Sequence, residues 1–210
     1  MDGTLVDTEV LWWRTTEEIA EALGHRLTDA DAPEVVGRAV EDTAAHLVRV
    51  TGAGDPGEVA LALTGSFFRK VEEGAPMRPG AQQLLSALEA DGVPFALVSA
   101  SPRVVVDSVV GGSLAHVPFA FTMSADDTPR TKPHPDPYRA AAERLGLVPE
   151  ACVAVEDSPD GAASAEAAGC GLLIVPSLLP VPRSPQRTFA DSLEEVTPTL
   201  LRHCLAAASS

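Results

Sequence analysis

Four short segments of this chain combine residue types that could bind a phosphoryl group and a metal ion. They are the turn Asp2-Gly3-Thr4, the segment Ser99-Ala100-Ser101, Lys132 in a proline-rich loop, and the adjacent carboxylates Glu156 and Asp157. Hydroxyl groups and free amides at a helix N-terminus bind anions, and a lysine ammonium is a compact positive charge. Carboxylates beside a phosphate favour Mg²⁺, which prefers oxygen ligands. Together the four segments predict a site for a phosphorylated ligand and a cation.

A lysine at residue 132 is unusual for this chain. Only two of its 15 basic residues are lysines, Lys70 and Lys132, and the others are arginines. A lysine retained against this bias indicates a position where a guanidinium cannot replace an ammonium. Prolines at 133, 135 and 137 restrain the loop, which favours a fixed role over that of a solvated loop lysine.

The other segments also have ordinary structural explanations. Ser101 could serve only as the N-cap of the helix that follows it, a role that serine often has. Glu156 and Asp157 could serve only to complement the dipole of the next helix, which Ser158 is expected to cap ahead of Pro159. Two carboxylates directly after a buried apolar run are costly without a compensating positive charge, and this cost favours a metal-binding role.

Residues 79–210 have the pattern of a parallel α/β sheet. Four apolar runs, at 93–99, 119–125, 152–157 and 171–176, are separated by helical stretches at about 82–91, 102–110, 136–146 and 160–168. Continuous apolar strands that alternate with helices predict a parallel sheet covered on both faces. Ligands of such sheets bind beyond the carboxyl ends of the strands, where three of the four segments lie.

The preceding part of the chain is predicted to be helical. Helices are indicated at 8–23, at 40–50 and at 58–73, and Val59 and Leu63 belong to a set of apolar residues that recur at helical spacing. The stretch GAPMRPGA at 74–81 contains two prolines and two glycines, which predicts a linker into the α/β part.

The composition limits the possible partners. The net charge is −15, with 45% hydrophobic and 21% charged residues, as in an ordinary globular protein. A strongly acidic chain is not expected to bind nucleic acid or an anionic membrane, and a phosphorylated ligand would need local cations. Neither a membrane span nor a signal peptide is indicated, and the three cysteines lack metal-ligand spacing. We expect a cytoplasmic monomer with reduced thiols and a small phosphorylated metabolite as its partner.

The motifs and their order resemble the haloacid dehalogenase superfamily of phosphohydrolases over essentially the whole chain. The matching stretches are DGTLVDTE, LVSAS, TKPHPDPY and VEDSPDGAASAEAAG. The branch that they resemble contains β-phosphoglucomutase-like proteins and the hexitol and sugar-phosphate phosphatases. The resemblance implies an α/β fold, a doubly wound parallel Rossmann-like core at 1–7 and 79–210, and an inserted helical cap at 8–78.

The resemblance also implies roles for individual residues. Asp2 matches the general acid/base, and its backbone carbonyl would bind Mg²⁺ together with Glu156 and Asp157. Thr4, Ser99 and the Ala100 amide would contact the phosphoryl group. Lys132 would neutralise both that group and the nucleophile. In the cap, Trp12 and Arg38 could contact the substrate, although packing explains the tryptophans Trp12 and Trp13 equally well.

The chain departs from the family pattern at its first residues. The family motif is Asp-x-Asp-Gly-Thr, and Met1 occupies the x position, so the nucleophilic aspartate would stand one residue before Met1. The apolar first strand, which lies in the middle of the family's sheet, is missing from the sequence as well. A strand of about six buried apolar residues contributes on the order of 10 kcal/mol, comparable to the net stability of a domain. We therefore expect the given sequence to be truncated and inactive as it stands.

The implied reaction is Mg²⁺-dependent hydrolysis of a small phosphomonoester, a sugar or sugar-alcohol phosphate, through an aspartyl-phosphate. One alternative is a β-phosphoglucomutase-like phosphomutase, although Trp12 stands where those proteins carry a gating histidine. The other is a homologue that lacks the nucleophile and only binds phosphate and metal.

Overall fold

The computed structural model describes residues 1–36 and 38–208. The chain divides into two compact units, an α/β unit formed by Met1–Val6 with Pro76–Ser210 and a helical unit formed by Asp7–Ala75. The sequence placed these boundaries at 7/8 and 78/79. That the two units act as a catalytic core and a cap stays a prediction.

The described residues of the helical unit form four helices, α1 (Thr8–Ala22), α2 (Ala32–Val35), α3 (Val40–Thr51) and α4 (Pro56–Glu73). The three longer ones agree with the helices predicted at 8–23, 40–50 and 58–73. The carboxylates of Asp7 and Asp55 cap α1 and α4 by accepting hydrogen bonds from backbone amides of the first turns, as expected of N-cap residues. Leu47 and Leu63 are completely buried between these helices.

A buried carboxylate, Asp31, fixes the irregular segment that precedes α2. Its Oδ2 accepts hydrogen bonds from the Thr28 amide at 2.9 Å and the Thr28 hydroxyl at 3.0 Å, and its Oδ1 lies 2.8 Å from His46 Nε2. His25 Nε2 lies 3.3 Å from the same carboxylate. Burial raises the pKa of Asp31, but the hydrogen bonds from His46, Thr28 and His25 outweigh it and lower the pKa to about 2.

Replacing Asp31 by asparagine is expected to lower the free energy of unfolding by about 1–3 kcal/mol near neutral pH, because buried donors lose a charged acceptor. The folded-state pKa lies below the ordinary value of 3.8. The stabilisation is therefore complete above about pH 5 and is lost as the pH falls from about 4 towards 2.

The measurement is urea unfolding of the native protein and the Asp31→Asn variant at pH 6 and at pH 3. Trp12 and Trp13 are the only tryptophans in the chain, and both belong to the helical unit, so tryptophan fluorescence reports on that unit. The difference between the two proteins should shrink at the lower pH. Equal stability at pH 6 would contradict the assignment.

In the part of the α/β unit that the structure describes there are five strands, and every pair of neighbouring strands is parallel. They are β1 (Leu97–Val98), β2 (Thr122–Met123), β3 (Val153–Glu156), β4 (Gly171–Ile174) and β5 (Arg187–Phe189). The strands form two separate sheets in the described residues, β1-β2 and β3-β4-β5. The first four agree with the predicted runs but are shorter, and β5 was not predicted.

Helices cover both faces of the three-stranded sheet. The α-helices described in the α/β unit are α5 (Ala81–Ala90), α6 (Arg103–Gly111), α7 (Asp136–Arg144), α8 (Pro159–Ala168) and α9 (Pro198–Ala208). Leu173 of β4 packs in a cluster with residues of α5 and α9, whereas Leu172 packs with residues of α7 and α8. This alternation is that of a parallel sheet covered on both faces, so the predicted fold class is confirmed. In the described part of the chain, no helix is both long and apolar enough to cross a bilayer.

Candidate active site

The four predicted segments meet at the carboxyl ends of β1 and β3 in the α/β unit. The Asp2-Gly3-Thr4 turn closes with a hydrogen bond from the Gly3 amide to the Val6 carbonyl at 2.9 Å. Gly3 has φ +67°, a left-handed conformation that favours glycine. An ideal Cβ at Gly3 would lie only 2.1 Å from Asp157 Oδ2. The glycine therefore lets the backbone of the turn approach the Asp157 carboxylate.

The Asp157 carboxylate is held by the first turn. Thr4 donates its hydroxyl hydrogen to Asp157 Oδ1 at 2.8 Å, across 153 residues of sequence. Burial raises the pKa of Asp157, while the Thr4 hydrogen bond acts in the opposite direction. Because burial dominates, the ionised form is under-compensated, and a bound cation would stabilise it. The Thr4 hydroxyl, predicted to contact the phosphoryl group, is directed to this carboxylate.

Glu156 and Lys132 form a buried ion pair. Lys132 Nζ lies 2.5 Å from Glu156 Oε1 and donates to the Val98 carbonyl at 2.9 Å. The side chains of Lys132 and Glu156 are only 8% and 5% exposed. Tyr138 donates a short hydrogen bond to the same oxygen of Glu156. Burial alone would raise the pKa of Glu156, but the Lys132 ammonium holds it below its ordinary value.

The Ser99-Ala100-Ser101 segment follows β1. The Ser101 amide donates to Ser99 Oγ at 3.1 Å, and Ser101 Oγ donates to Asp2 Oδ2 at 2.7 Å. The alternative that Ser101 only caps the next helix is wrong, because the N-cap of α6 is Pro102. Ser101 instead connects the end of β1 to the first turn. Ala100 is exposed, and a contact of its amide with a phosphoryl group stays a prediction.

The helix after β3 begins as the sequence predicts. Ser158 is the N-cap of α8, and its hydroxyl oxygen accepts from the Gly161 amide at 3.1 Å. An ideal Cβ at Gly161 would lie 1.9 Å from Glu156 Oε2. Gly161 therefore leaves the space that the Glu156 side chain occupies.

Replacing Gly161 by alanine is expected to lower the free energy of unfolding by about 1–3 kcal/mol, because the new methyl group overpacks against Glu156. Gly111 in α6 provides the matched control, because nothing lies within 4 Å of its ideal Cβ. Gly111→Ala should leave stability unchanged or raise it by up to about 1 kcal/mol through helix propensity. Thermal unfolding followed by circular dichroism compares the two variants. A Gly161→Ala protein as stable as the control would contradict the packing argument.

The backbone nitrogen of Met1 is buried among the charged groups of the site. Burial lowers the pKa of the Met1 α-amino group, Lys132 lowers it further, and Asp2, Glu156 and Asp157 act in the opposite direction. These four side chains are therefore close enough for their charges to act on the Met1 nitrogen.

The two carboxylates that were predicted to bind the metal, Glu156 and Asp157, differ in how many other side chains they contact. In residues 1–36 and 38–208, no group of three or more histidine, cysteine, aspartate or glutamate side chains could hold a metal ion. The ligand predicted from Asp2 is its backbone carbonyl rather than its side chain, so the predicted set of Asp2, Glu156 and Asp157 stays a prediction. Glu156 is engaged by Lys132 and Tyr138, which leaves Asp157 as the better placed side-chain ligand.

The predicted cap residues lie in the helical unit. Trp12 is 8% exposed, and its indole N–H donates to the Val35 carbonyl at 2.9 Å. Its ring packs edge-on against Phe67 with centroids 5.6 Å apart. Arg38 is exposed and donates to the Pro33 carbonyl at 2.8 Å. The contacts of Trp12 are those of a core residue, and a substrate contact for either side chain stays a prediction.

Two contributors to the site were missed from the sequence. Tyr138 lies in the first turn of α7, directly after the lysine loop, and an aromatic residue there predicts core packing as readily as a hydrogen bond to Glu156. Gly161 lies inside a helix, where a glycine costs stability relative to alanine. That unfavourable position was the signal in the sequence that a neighbouring side chain packs closely against the helix at Gly161.

Comparisons with known proteins identify the family. Residues 1–169 match the model of the haloacid dehalogenase-like hydrolase family. Hexitol phosphatase B of Escherichia coli (strain K12) is 30% identical over 184 residues, which cover 84% of this chain and 81% of that protein.

Two solved structures have the same fold. A haloacid dehalogenase family hydrolase from Deinococcus radiodurans, crystallised with bound phosphate and sodium, is 28% identical with a TM-score of 0.75 and covers 100% of this chain and 93% of its own. CbbY from Rhodobacter sphaeroides, in complex with phosphate, is 25% identical with a TM-score of 0.67 and covers 93% of this chain and 92% of its own. The predicted superfamily and enzyme class are confirmed, and the chain belongs to the haloacid dehalogenase-like hydrolases.

Proposed function

We propose that this chain, when an aspartate precedes Met1, is a Mg²⁺-dependent phosphatase of small sugar or sugar-alcohol phosphates. The observation that carries the proposal is that hydrogen bonds bring the first turn, the Ser99–Ser101 segment, Lys132 and the Glu156–Asp157 pair together at the strand ends. The charges of Lys132, Asp2, Glu156 and Asp157 act on the Met1 nitrogen, so an aspartate joined to Met1 would be close to the groups that phosphoryl transfer to a carboxylate requires. We refer to the 210 residues preceded by a short apolar segment and this aspartate as the extended protein.

The residues of this chain then have distinct roles in the reaction. The carboxylate of the added aspartate attacks phosphorus and forms an aspartyl-phosphate. Asp2 protonates the leaving oxygen and later takes a proton from the attacking water. The Ser101 hydroxyl, 2.7 Å from Asp2 Oδ2, orients that carboxylate. Ser99 and the Ala100 amide bind the phosphoryl oxygens.

Lys132 supplies the fixed positive charge of the site. Its contacts with Glu156 and with the Val98 carbonyl hold the ammonium in one position, so that it need not reorganise as negative charge develops. A protein with a net charge of −15 repels an anionic substrate. The Lys132 ammonium offsets this repulsion inside the site, because buried charges act over short distances with little screening.

The donor atoms around Asp157 fit Mg²⁺. Asp157 is a buried carboxylate whose raised pKa indicates missing positive charge, and hard oxygen donors suit this ion. Asp157, the Asp2 backbone carbonyl and the added aspartate would hold it, with Glu156 outside the direct ligand set. Bound Mg²⁺ supplies neutralisation of the phosphoryl oxygens.

The substrate class rests on the relatives. Hexitol phosphatase B is similar over 84% of this chain, which favours a sugar-alcohol phosphate or a closely related sugar phosphate. Hydrolysis is preferred over phosphoryl transfer between sugar positions because Trp12, at the position of the mutase histidine, has its indole N–H committed to the Val35 carbonyl.

The experiment measures phosphate release by the extended protein from hexitol and hexose phosphates, with Mg²⁺ and with excess chelator. We expect turnover only with Mg²⁺, and a larger rise in the Mg²⁺ concentration for half-maximal rate in Asp157→Asn than in Ser99→Ala. Full activity in chelator would contradict the metal assignment. Sugar isomerisation faster than phosphate release would identify a mutase, and no turnover of any of these compounds would contradict the proposal.

A further inference from the structure

Two of the three cysteines of the chain stand opposite each other on neighbouring strands. Val153 of β3 pairs with Gly171 of β4 in a parallel register, and the Gly171 amide donates to the Cys152 carbonyl at 2.9 Å. The same register, continued by one residue, places Cys152 opposite Cys170. Their backbones are therefore separated by about the spacing of adjacent strands, about 4.8 Å.

Both cysteine side chains lie on the same face of the sheet. Cys170 belongs to a buried cluster that contains Ala154 and Leu172, and Cys152 packs against that cluster. An ionised Cys152 would raise the pKa of Cys170, so the two sulfur atoms lie near each other. Both thiols are free, and Cys170 is buried whereas Cys152 is partly exposed. The two residues thus form a vicinal dithiol that a ligand can reach through Cys152.

The spacing of this dithiol suits a bridging atom better than a disulfide. Side chains at paired positions of parallel strands keep their Cβ atoms at about the strand spacing, about 4.8 Å. A disulfide needs Cβ atoms about 3.5–4.5 Å apart, and the hydrogen bond between Gly171 and Cys152 opposes a closer approach of the strands. An atom placed between the two sulfur atoms connects them without moving the backbone.

The surroundings of the dithiol favour an uncharged ligand. Burial raises the pKa of Cys170 to about 12 and also raises that of Cys152, and the negative charge of Glu150 acts in the same direction on both. At neutral pH both groups are therefore protonated thiols. Metal cations and oxidants react with thiolates, whereas arsenous acid is itself uncharged and condenses with two thiols.

We propose that Cys152 and Cys170 bind trivalent arsenic, supplied as arsenous acid, in a bridge between β3 and β4. Two As–O bonds break and two As–S bonds form, and each thiol proton leaves with a hydroxyl group as water. Arsenic stays trivalent, so the step needs no oxidant or reductant. The bridged product is uncharged, so that no ion is buried in the apolar cluster.

The arsenic site is separate from the candidate active site. Cys152 directly precedes β3, whereas Glu156 is the last residue of that strand, and four residues of a strand span roughly 13 Å. The inference therefore does not depend on the proposed phosphatase activity.

The test is equilibrium dialysis of the reduced 210-residue protein against arsenous acid, with bound arsenic measured by elemental mass spectrometry. We expect one arsenic atom per chain. Cys152→Ala should weaken binding by at least about 100-fold, because linking a second binding group increases affinity by about 10²–10⁴-fold. Cys170→Ala should have the same effect. Cys152→Ala changes a partly exposed side chain, so it tests the bridge without altering the buried core.

The third cysteine provides the matched control. Cys204 packs in the cluster on the other face of the sheet, and its thiol donates to the Leu200 carbonyl at 3.4 Å. Cys204→Ala should therefore bind arsenic as tightly as the native protein. Absence of bound arsenic in the native protein, undiminished binding by Cys152→Ala, or lost binding in Cys204→Ala would overturn the proposal. Binding that occurs only in urea would overturn it as well, because an unfolded chain can bring its thiols together without the sheet.

Discussion

Replacing Lys132 by alanine in the extended protein is expected to lower kcat by about 10³-fold or more, as for other cations that stabilise charge in phosphoryl transfer. Lys132→Arg should not restore the rate. The ammonium is 8% exposed and fits between Glu156 Oε1 and the Val98 carbonyl, and the planar guanidinium has a different shape and donor geometry. Steady-state phosphate release measures the effect.

The control for this prediction is the other lysine of the chain. Lys70 lies 2.6 Å from Glu18, whose side chain is 57% exposed, and such surface pairs contribute about 0–1 kcal/mol. Lys70→Ala should therefore keep both activity and stability. Because Lys132→Ala leaves Glu156 buried without its partner, the double variant Lys132→Ala with Glu156→Gln separates lost stability from lost catalysis. A rate near that of the native enzyme for Lys132→Arg would show that any cation suffices.

The residue before Met1 is expected to have the largest effect on activity. An extended protein with aspartate at that position should hydrolyse phosphomonoesters at least about 10⁴-fold faster than the same protein with asparagine, as expected when a covalent nucleophile is removed. The physical reason is that the charges of Lys132, Asp2, Glu156 and Asp157 act on the Met1 nitrogen, so a carboxylate one residue earlier would be close to these groups.

The asparagine protein is itself the matched control, because it keeps the size and hydrogen-bonding capacity of the side chain. Both proteins should unfold at the same temperature within a few degrees, so that the rate difference reports chemistry. Acid quench of the aspartate protein during turnover should trap protein-bound phosphate. Equal rates for the two proteins, or efficient hydrolysis by the chain beginning at Met1, would contradict the assignment of the nucleophile.

The elements of the chain were largely predictable from the sequence. The helices α1, α3 and α4 and the strands β1–β4 were found because periodicity, capping residues and apolar runs are local signals. The strands are shorter than the apolar runs, since a residue belongs to a strand only where it is hydrogen-bonded to a neighbouring strand. The strand β5 and the helix α9 were not predicted.

For the site, the sequence by itself determined which residue types stand at the strand ends. Only the tertiary structure decided which atoms meet. Thr4 and Asp157 are 153 residues apart, and Ser101 and Asp2 are 99 apart, so no local pattern could pair their side chains. The hydrogen bonds from Lys132 and Tyr138 to Glu156 likewise depend on how the elements pack against one another. A residue's type limits the chemistry that it can do, whereas the partners of a buried polar group depend on which elements surround it and exclude water.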